Sequence, residues 1–216
     1  MAVFLPANAE NFPDANLADS DGLLAIGGNL KKQTLLNAYR KGIFPWYNEN
    51  EPICWYYPDP RLILFPGNLK ISNSMKAVLK KNEFTFTSDN DFSGVIKNCR
   101  MAKRKGEPGT WITDDIEKAY TTLYKNGFAH SAETYYNSTL VGGLYGVQLG
   151  KVFFGESMFA NKSNASKFAF IKYVQLLQKK GIELIDCQVY TPHLESLGAE
   201  LISRQHFAKL LKELIV

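Results

Sequence analysis

Residues 129–190 read AHSAETYYNSTLVGGLYGVQLGKVFFGESMFANKSNASKFAFIKYVQLLQKKGIELIDCQVY, and this stretch decides the fold. Alternating apolar residues predict strands, and a wide apolar face at helical spacing predicts one helix. Three strands, the helix and a further strand are predicted in that order at 129–136, 140–149, 151–159, 164–180 and 182–190. The stretch therefore predicts an antiparallel meander followed by an α–β unit.

The rest of the chain adds helices and short strands around this unit. Helices are predicted at 31–41, 72–81, 91–105, 114–126 and 203–215, and strands at 61–65 and 84–88. Residues 1–29 read as loops and short turns, and the prolines between 45 and 60 exclude a long regular element there. The chain changes near residue 62 from a segment punctuated by proline and glycine to one with regular helices and strands. We therefore expect an α+β protein with a small N-terminal domain, 1–62, and a larger one, 63–216.

Composition limits the function classes. The 216 residues are 45% hydrophobic and 21% charged with a net charge of +4, which excludes collagen, long disorder and a disulfide scaffold. The three cysteines lie far apart, so we expect reduced thiols, and no Cys/His/Asp set has the spacing of a metal site. The N-terminus does not resemble a signal peptide, and no apolar run approaches the ~18 residues of a membrane span. We expect a cytoplasmic protein with no membrane partner.

The strand at 182–190 carries the clearest polar signal. Alternation places Asp186 and Gln188 on one face, about 7 Å apart along the strand. A carboxylate within an apolar strand is costly unless it is paired or has a function. The structural alternative is an Asp that closes a turn or caps a neighbouring element.

Glu156 is the second candidate. It stands alone among apolar residues, directly after Gly155. The glycine indicates a β-bulge, and bulges redirect side chains near active sites. The alternative is an edge strand with one exposed Glu.

Aromatic and basic residues form further groups. The aromatic group at 44–57 is more typical of core packing than of base stacking. Basic residues group at Lys76, Lys80 and Lys81 and again at residues 100–105, which is compatible with phosphate contacts or simply with a solvated face. No phosphate loop, dinucleotide motif or nucleophile elbow is present, so the residues by themselves predict an acidic–amide site and no nucleotide chemistry.

Ten motifs nevertheless resemble, in order, the signature of the leucyl/phenylalanyl-tRNA–protein transferase family. They are DGLLAIGG (21–28), GIFPWY (42–47), WYYPDPR (55–61), GTWI (109–112), HSAE (130–133), LVGGLYG (140–146), GESMF (155–159), NASK (164–167), IDCQ (185–188) and SLGA (196–199). Each motif is weak by itself, but the ordered set spans nearly the whole chain and is very specific.

The resemblance implies a bacterial enzyme of the N-degron pathway, with a C-terminal domain like the N-acetyltransferase (GNAT) fold. Such an enzyme moves Leu or Phe, and Met less well, from the 3′ acceptor end of aminoacyl-tRNA to an N-terminal Arg or Lys of a protein. The aminoacyl ester is already activated, so the resemblance implies no ATP, metal or other cofactor. We expect a monomer.

The resemblance also implies roles for individual residues. Gln188 orients the attacking amine, Asp186 polarises Gln188 and helps to accept the proton, and Glu156 lines the site. The residues implied to hold the donor side chain are Leu144, Phe153, Met158, Tyr173 and Ile185. Trp46 and Trp111 are implied to stack on the terminal adenine, and Lys80 and Lys81 to contact the acceptor stem. The family usually has Phe at the position of Tyr173 and often Met at that of Leu144, which leaves the preference between Leu and Phe open.

Two other functions stay open from the sequence. One is an N-acyltransferase that uses acyl-CoA, although residues 160–164 lack the Gly-rich loop that binds its pyrophosphate. The other is a non-catalytic RNA-binding module, which has no need to place Asp186 beside Gln188.

Overall fold

The computed structural model describes residues 2–102 and 110–215. Within these residues the strands are β1 (Val3–Leu5), β2 (Leu23–Gly27), β3 (Phe44–Pro45), β4 (Cys54–Tyr56), β5 (Arg61–Leu64), β6 (Thr85–Ser88), β7 (Ala129–Tyr136), β8 (Thr139–Leu149), β9 (Val152–Ala160), β10 (Leu184–Gln188) and β11 (Glu200–Ile202). The helices are α1 (Lys32–Arg40), α2 (Asn73–Lys80), α3 (Phe92–Met101), α4 (Asp114–Lys125), α5 (Ala165–Lys179), α6 (Pro192–Glu195) and α7 (Arg204–Leu214).

Four of the predicted helices begin at residues whose side chains cap the first turn. The hydroxyls of Ser72, Thr113 and Ser203 accept backbone N–H groups of α2, α4 and α7, and Asp91 does the same for α3. The helix predicted at 91–105 ends at Met101, and residues 103–105 lie outside the described residues.

A seven-stranded mixed sheet, the large sheet, forms the centre of the protein. Its strand order is β11-β5-β10-β9-β8-β7-β6. Strands β6 to β9 pair antiparallel, and α5 then carries the chain across so that β10 pairs parallel to β9. The predicted meander followed by an α–β unit is confirmed, and it is the arrangement expected of an N-acetyltransferase-like domain.

The large sheet separates two layers of core. Along β9, Phe154 packs into the layer with α3, α4 and α7, and Phe153 packs into the layer with α2 and α5. On β10, Leu184 and Ile185 divide between the two layers in the same way. This alternation follows from the pleat of a strand, whose successive side chains point to opposite faces.

A second, four-stranded sheet, the small sheet, has the order β1-β2-β4-β3. The prediction of loops over residues 1–29 is therefore wrong for β1 and β2, which pair in parallel. The β1 sequence VFL and the β2 sequence LLAIG are continuous apolar runs, so neither shows the alternation by which a strand is recognised. The small sheet confirms the α+β class with a small N-terminal unit, and its buried Trp55 belongs to the same core layer as α3, α4 and α7.

The expected boundary between residues 62 and 63 falls within β5. This strand pairs with β10 on one side and β11 on the other, so it belongs to the large sheet. The division of the chain into residues 1–62 and 63–216 stays a prediction.

Two helix-ending glycines allow a test of the packing between the small sheet and α7. Gly42 and Gly181 both have positive φ, +74° and +82°. A Cβ on Gly42 lies 2.5 Å from Phe207, whereas nothing lies within 4 Å of one on Gly181. We expect Gly181→Ala to lower the free energy of unfolding by about 1 kcal/mol through backbone strain. Gly42→Ala adds overpacking and lowers it by about 2–4 kcal/mol in total.

Urea denaturation of both variants measures the difference. Equal losses of unfolding free energy in the two variants would contradict the close packing of Gly42 against α7.

Candidate active site

A cavity of about 370 Å³ opens between the large sheet, α5 and the loop around Trp46. Its lining includes all but two of the residues that the sequence predicts for the site: Trp46, Trp111, Leu144, Phe153, Glu156, Met158, Tyr173, Ile185, Asp186 and Gln188. Its volume is within the usual range for a small-molecule site. The structure thus brings together residues that lie far apart in the chain, from Trp46 to Gln188.

One wall of the cavity is apolar and forms the donor pocket, which we define as Leu144, Phe153, Met158, Tyr173 and Ile185. The Phe153 and Tyr173 rings meet edge to face with centroids 5.1 Å apart. Phe170 and Leu177 of α5, which the sequence did not single out, extend this wall. The pocket therefore suits an aliphatic or aromatic side chain.

Trp46 differs from most of the aromatic group at 44–57. Phe44, Tyr47, Trp55 and Tyr57 are buried, as the core interpretation predicted. Trp46 is 39% exposed and still lines the cavity. An exposed ring at a cavity wall is available to stack on a planar ligand.

Glu156 lies in a β-bulge of β9. Tyr145 pairs with Ser157 and Gly146 pairs with Gly155, so Glu156 has no partner on β8. The bulge predicted from Gly155 is confirmed. Before the bulge, Val152 and Phe154 point to the layer with α3, α4 and α7. The extra residue reverses this alternation, so Met158 points instead to the layer with α5.

Glu156 is held by hydrogen bonds from three sides. Tyr39 donates to its Oε1 (2.8 Å), Tyr120 donates to its Oε2 (2.9 Å) and the Gln188 side-chain amide donates to its Oε1 (2.9 Å). Burial raises the pKa of Glu156 to about 7, with the nearby charge of Asp186 adding to the rise and the three hydrogen bonds opposing it. We call Glu156 and Gln188 the carboxyl–amide pair.

Proton counting within this cluster agrees with the raised pKa. The Tyr39 and Tyr120 hydroxyls also bond to each other, so three hydrogen bonds join the two hydroxyls and the Glu156 carboxyl. Two hydroxyl protons supply only two of the three hydrogen bonds. When Glu156 is neutral, its O–H donates to one tyrosine hydroxyl, that hydroxyl donates to the other, and the second hydroxyl donates to the remaining carboxyl oxygen. Each of the three hydrogen bonds then has a proton, which fits the neutral carboxyl.

Asp186 is fully buried and pairs with Arg61. Arg61 Nε donates to Oδ1 (2.8 Å) and Nη2 donates to Oδ2 (2.6 Å). The backbone N–H of Gln188 also donates to Oδ1 (2.9 Å). Asp186 thus contacts Gln188 through the main chain, whereas the side chain of Gln188 turns to Glu156.

The lysines lie apart from the cavity. Lys80 and Lys81 are exposed at the end of α2 and do not line the described cavity. Of the second basic group, Arg100 bonds to Asp114 and Glu117 of α4, which offsets its charge. Lys103, Arg104 and Lys105 lie outside the described residues.

Sequence reasoning missed Tyr39 and Tyr120 as site residues. Both belong to apolar stripes of their helices, and their buried rings alone predict core packing. No local pattern joins two residues that are 81 positions apart. It also missed the partner of Asp186, although Arg61 ends the WYYPDPR motif.

Two kinds of feature are absent from the described residues. No group of three His, Cys, Asp or Glu side chains there has the geometry to hold a metal ion. No helix among them is long and apolar enough to cross a membrane.

Comparison with known proteins gives consistent matches. A family model described as leucyl/phenylalanyl-tRNA protein transferase matches residues 63–212, and the model of that family's N-terminal domain matches residues 28–59. The leucyl/phenylalanyl-tRNA–protein transferase of Christiangramia forsetii is 54% identical over 94% of this chain and 96% of its own length. That of Syntrophobacter fumaroxidans is 52% identical over 99% of this chain and 91% of its own length. A GCN5-related N-acetyltransferase of Kribbella flavida aligns with 78% of this chain and 60% of its own, at 10% identity and a TM-score of 0.43.

The pKa of Glu156 predicts a pH effect on stability. The folded carboxyl has a pKa of about 7, compared with ~4.3 in an unfolded chain. Between these values the folded state binds the proton and the unfolded state does not, so the unfolding free energy falls as pH rises. Glu156→Gln lacks this dependence, and its stability relative to the wild type should increase from about pH 5 to about pH 8.

Urea denaturation at several pH values measures this difference. Glu183→Gln, at a carboxyl that is 53% exposed, is the control and should show a smaller change. A difference between Glu156→Gln and wild type that is flat with pH would rule out a raised pKa.

Proposed function

This chain belongs to the leucyl/phenylalanyl-tRNA–protein transferase family, and from that premise we propose that it transfers leucine or phenylalanine from an aminoacyl-tRNA to the N-terminus of a protein. The observation that carries this proposal is a single cavity in which an apolar donor pocket adjoins a carboxyl–amide pair and two tryptophans. The pocket suits the donor side chain, and the pair suits an incoming amine.

The donor pocket binds the aminoacyl side chain. Leu, Phe and Met are long and unbranched at Cβ, so they extend into the donor pocket and pack against its wall, to which Phe153 and Tyr173 belong. A single methylene is worth about 1–3 kcal/mol in such pockets. Exclusion of Val and Ile therefore rests on the shape at Cβ rather than on hydrophobicity.

The tryptophans hold the end of the tRNA. Trp46 and Trp111 line the same cavity from different parts of the chain. Stacking between them and the terminal adenine fixes the ester beside the carboxyl–amide pair. Base stacking on an aromatic side chain is worth about 1–3 kcal/mol per base.

The reaction replaces the ester by an amide. The acceptor's α-amine attacks the ester carbonyl carbon, the new C–N bond forms and the bond to the ribose oxygen breaks. Gln188 commits its NH₂ group to Glu156, so its carbonyl oxygen accepts a hydrogen bond from the amine and orients it. One amine proton is lost, and the ribose oxygen gains one.

Glu156 accepts the proton that the amine loses. Its pKa of about 7 lies close to the ~7.7–8.0 of an α-amine, which is the match that general acid–base catalysis favours. Tyr39 and Tyr120 both donate to the ionised carboxylate, and one of them accepts the Glu156 proton when the carboxyl is neutral. We assign the proton to Glu156 rather than to Asp186, because Asp186 forms a buried ion pair with Arg61, whereas the hydrogen-bond partners of Glu156 are neutral.

The attack is direct, with no acyl-enzyme. Cys187 lies between Asp186 and Gln188 and lines the cavity, but burial raises the pKa of its thiol well above the ordinary value. A protonated thiol is a poor nucleophile.

The finer assignments are also part of the proposal. The acceptor begins with Arg or Lys, the protein acts as a monomer in the cytoplasm, and Lys80 and Lys81 contact the acceptor stem. Acyl-CoA-dependent transfer and a non-catalytic RNA-binding role are not favoured, since the family models and relatives describe a tRNA–protein transferase.

Transfer of labelled amino acid tests the function. We expect the protein to move labelled Leu from Leu-tRNA to a peptide that begins with Arg, and not to the same peptide beginning with Gly. Glu156→Gln should lower the single-turnover rate by about 10²–10⁴-fold, the usual contribution of a general base. Absence of Arg-dependent labelling by the wild type would overturn the proposal.

Lys80 and Lys81 predict a salt effect on tRNA binding. Replacing both by Ala should weaken binding of any tRNA and lower the slope of log K against log[salt] by about 0.7–0.9 for each phosphate that is no longer neutralised. Lys209→Ala with Lys212→Ala, which removes two exposed lysines of α7, is the matched control. If the slope is the same in both double variants, Lys80 and Lys81 do not contact the tRNA.

A further inference from the structure

Arg61 is buried beside the site without lining the cavity. Its side chain is 1% exposed. Besides its two hydrogen bonds to Asp186, Nη2 donates to the backbone carbonyl of Gly42 (2.9 Å), directly after α1. The guanidinium therefore links β5, β10 and the chain entering the small sheet.

Three aromatic rings enclose the same guanidinium. Its central carbon lies 4.8 Å from the centroid of Phe44, 4.7 Å from that of Phe207 and 5.9 Å from that of Tyr57. Among the described residues, Nη1 has no hydrogen-bond partner. Planar stacking with a two-pronged donor is a property of arginine that lysine does not share.

Asp186 carries the effect of Arg61 to Gln188. It accepts the backbone N–H of Gln188, which has a φ of +63°. A non-glycine residue adopts this left-handed region only when its surroundings hold it there. A bulge at Cys187, where β10 shifts its register against β5, gives Gln188 this turn.

The turned backbone sets the direction of the Gln188 side chain, whose amide donates to Glu156. A continuous path of hydrogen bonds therefore runs from Arg61 through Asp186 and Gln188 to Glu156. The proposed function assigns the incoming amine to the last two members of this path.

We propose that Arg61 is a positioning residue for the transfer reaction, acting through Asp186 to hold Gln188 in its left-handed conformation and so to aim the carboxyl–amide pair. The inference rests on the proposed function, because it assigns the amine to that pair. It also makes Asp186 a positioning residue whose charge serves Arg61 and the Gln188 backbone, not a base for the amine.

Arg61→Lys tests the proposal, since it keeps the charge and loses the fork and the stacking. We expect kcat for transfer to an Arg-peptide to fall by about 10²-fold, the cost of misplacing reacting groups by about 1 Å. The KM for Leu-tRNA should stay within about twofold, because the donor pocket and the tryptophans are untouched. Arg204→Lys is the matched control, as Arg204 also stacks on Tyr57 (5.4 Å) and bonds to backbone carbonyls but does not reach Asp186.

A double-mutant cycle separates positioning from base catalysis. If Asp186 acts with Arg61, the double variant Arg61→Lys/Asp186→Asn should lose no more kcat than the worse single variant. Losses that multiply would show that Asp186 has a separate role and would overturn the proposal. So would a kcat for Arg61→Lys within about twofold of the wild type, or an equal loss in Arg204→Lys.

Hydrogen exchange tests the same path without any activity. The Gln188 amide should exchange at least about tenfold faster in Arg61→Lys than in wild type or Arg204→Lys, because its acceptor is no longer fixed. Unchanged exchange would overturn the positioning role. If the wild type fails to transfer Leu, the proposed function falls, and the exchange experiment still decides whether Arg61 holds Gln188.

Discussion

The buried pair of Arg61 and Asp186 joins the parts of this protein that meet at the site. Its hydrogen bonds connect β5, β10 and the carbonyl of Gly42, and Phe207 of α7 stacks on the guanidinium. Burying two charges costs several kcal/mol per ion, so such a pair adds little net stability. Loss of one partner costs about 3–5 kcal/mol, because an unpaired charge is left behind. The pair is thus better understood as fixing one arrangement than as stabilising the fold.

Two bulges on neighbouring strands turn this arrangement into a site. In regular strands, the side chains of β9 and β10 would alternate strictly between the two faces of the large sheet. The bulges at Glu156 and at Cys187 interrupt this alternation on both strands. Glu156 and Gln188 meet beside a wall of apolar side chains that β8, β9, β10 and α5 supply. The bulge in β9 also turns Met158 into this apolar wall.

The elements predicted correctly from the sequence are those with a local periodic pattern, and the features that were missed depend on contacts between distant parts of the chain. Alternation predicted β7, β8 and β9, and Gly155 indicated the bulge that redirects Glu156. In the small sheet, β1 and β2 are apolar runs without alternation and β3 has only two residues, so no period-two pattern indicates these strands. Alternation along β10 predicted that the side chains of Asp186 and Gln188 lie side by side. No glycine indicates the bulge at Cys187, and the side-chain amide of Gln188 bonds to Glu156. Tyr39 and Tyr120 reach Glu156 only through the packing of α1 and α4, which no spacing along the chain encodes.

Burial of Glu156 has a cost that the reaction explains. A carboxyl with a pKa of about 7 destabilises the fold at neutral pH, where an exposed carboxyl would ionise freely. An ordinary Glu, with a pKa of ~4.3, would accept the amine proton too weakly to help. The ester already carries the energy of the transfer, so the protein needs no second activated group. What it must supply is position and one proton acceptor matched to an α-amine, and burial against Tyr39 and Tyr120 supplies the acceptor.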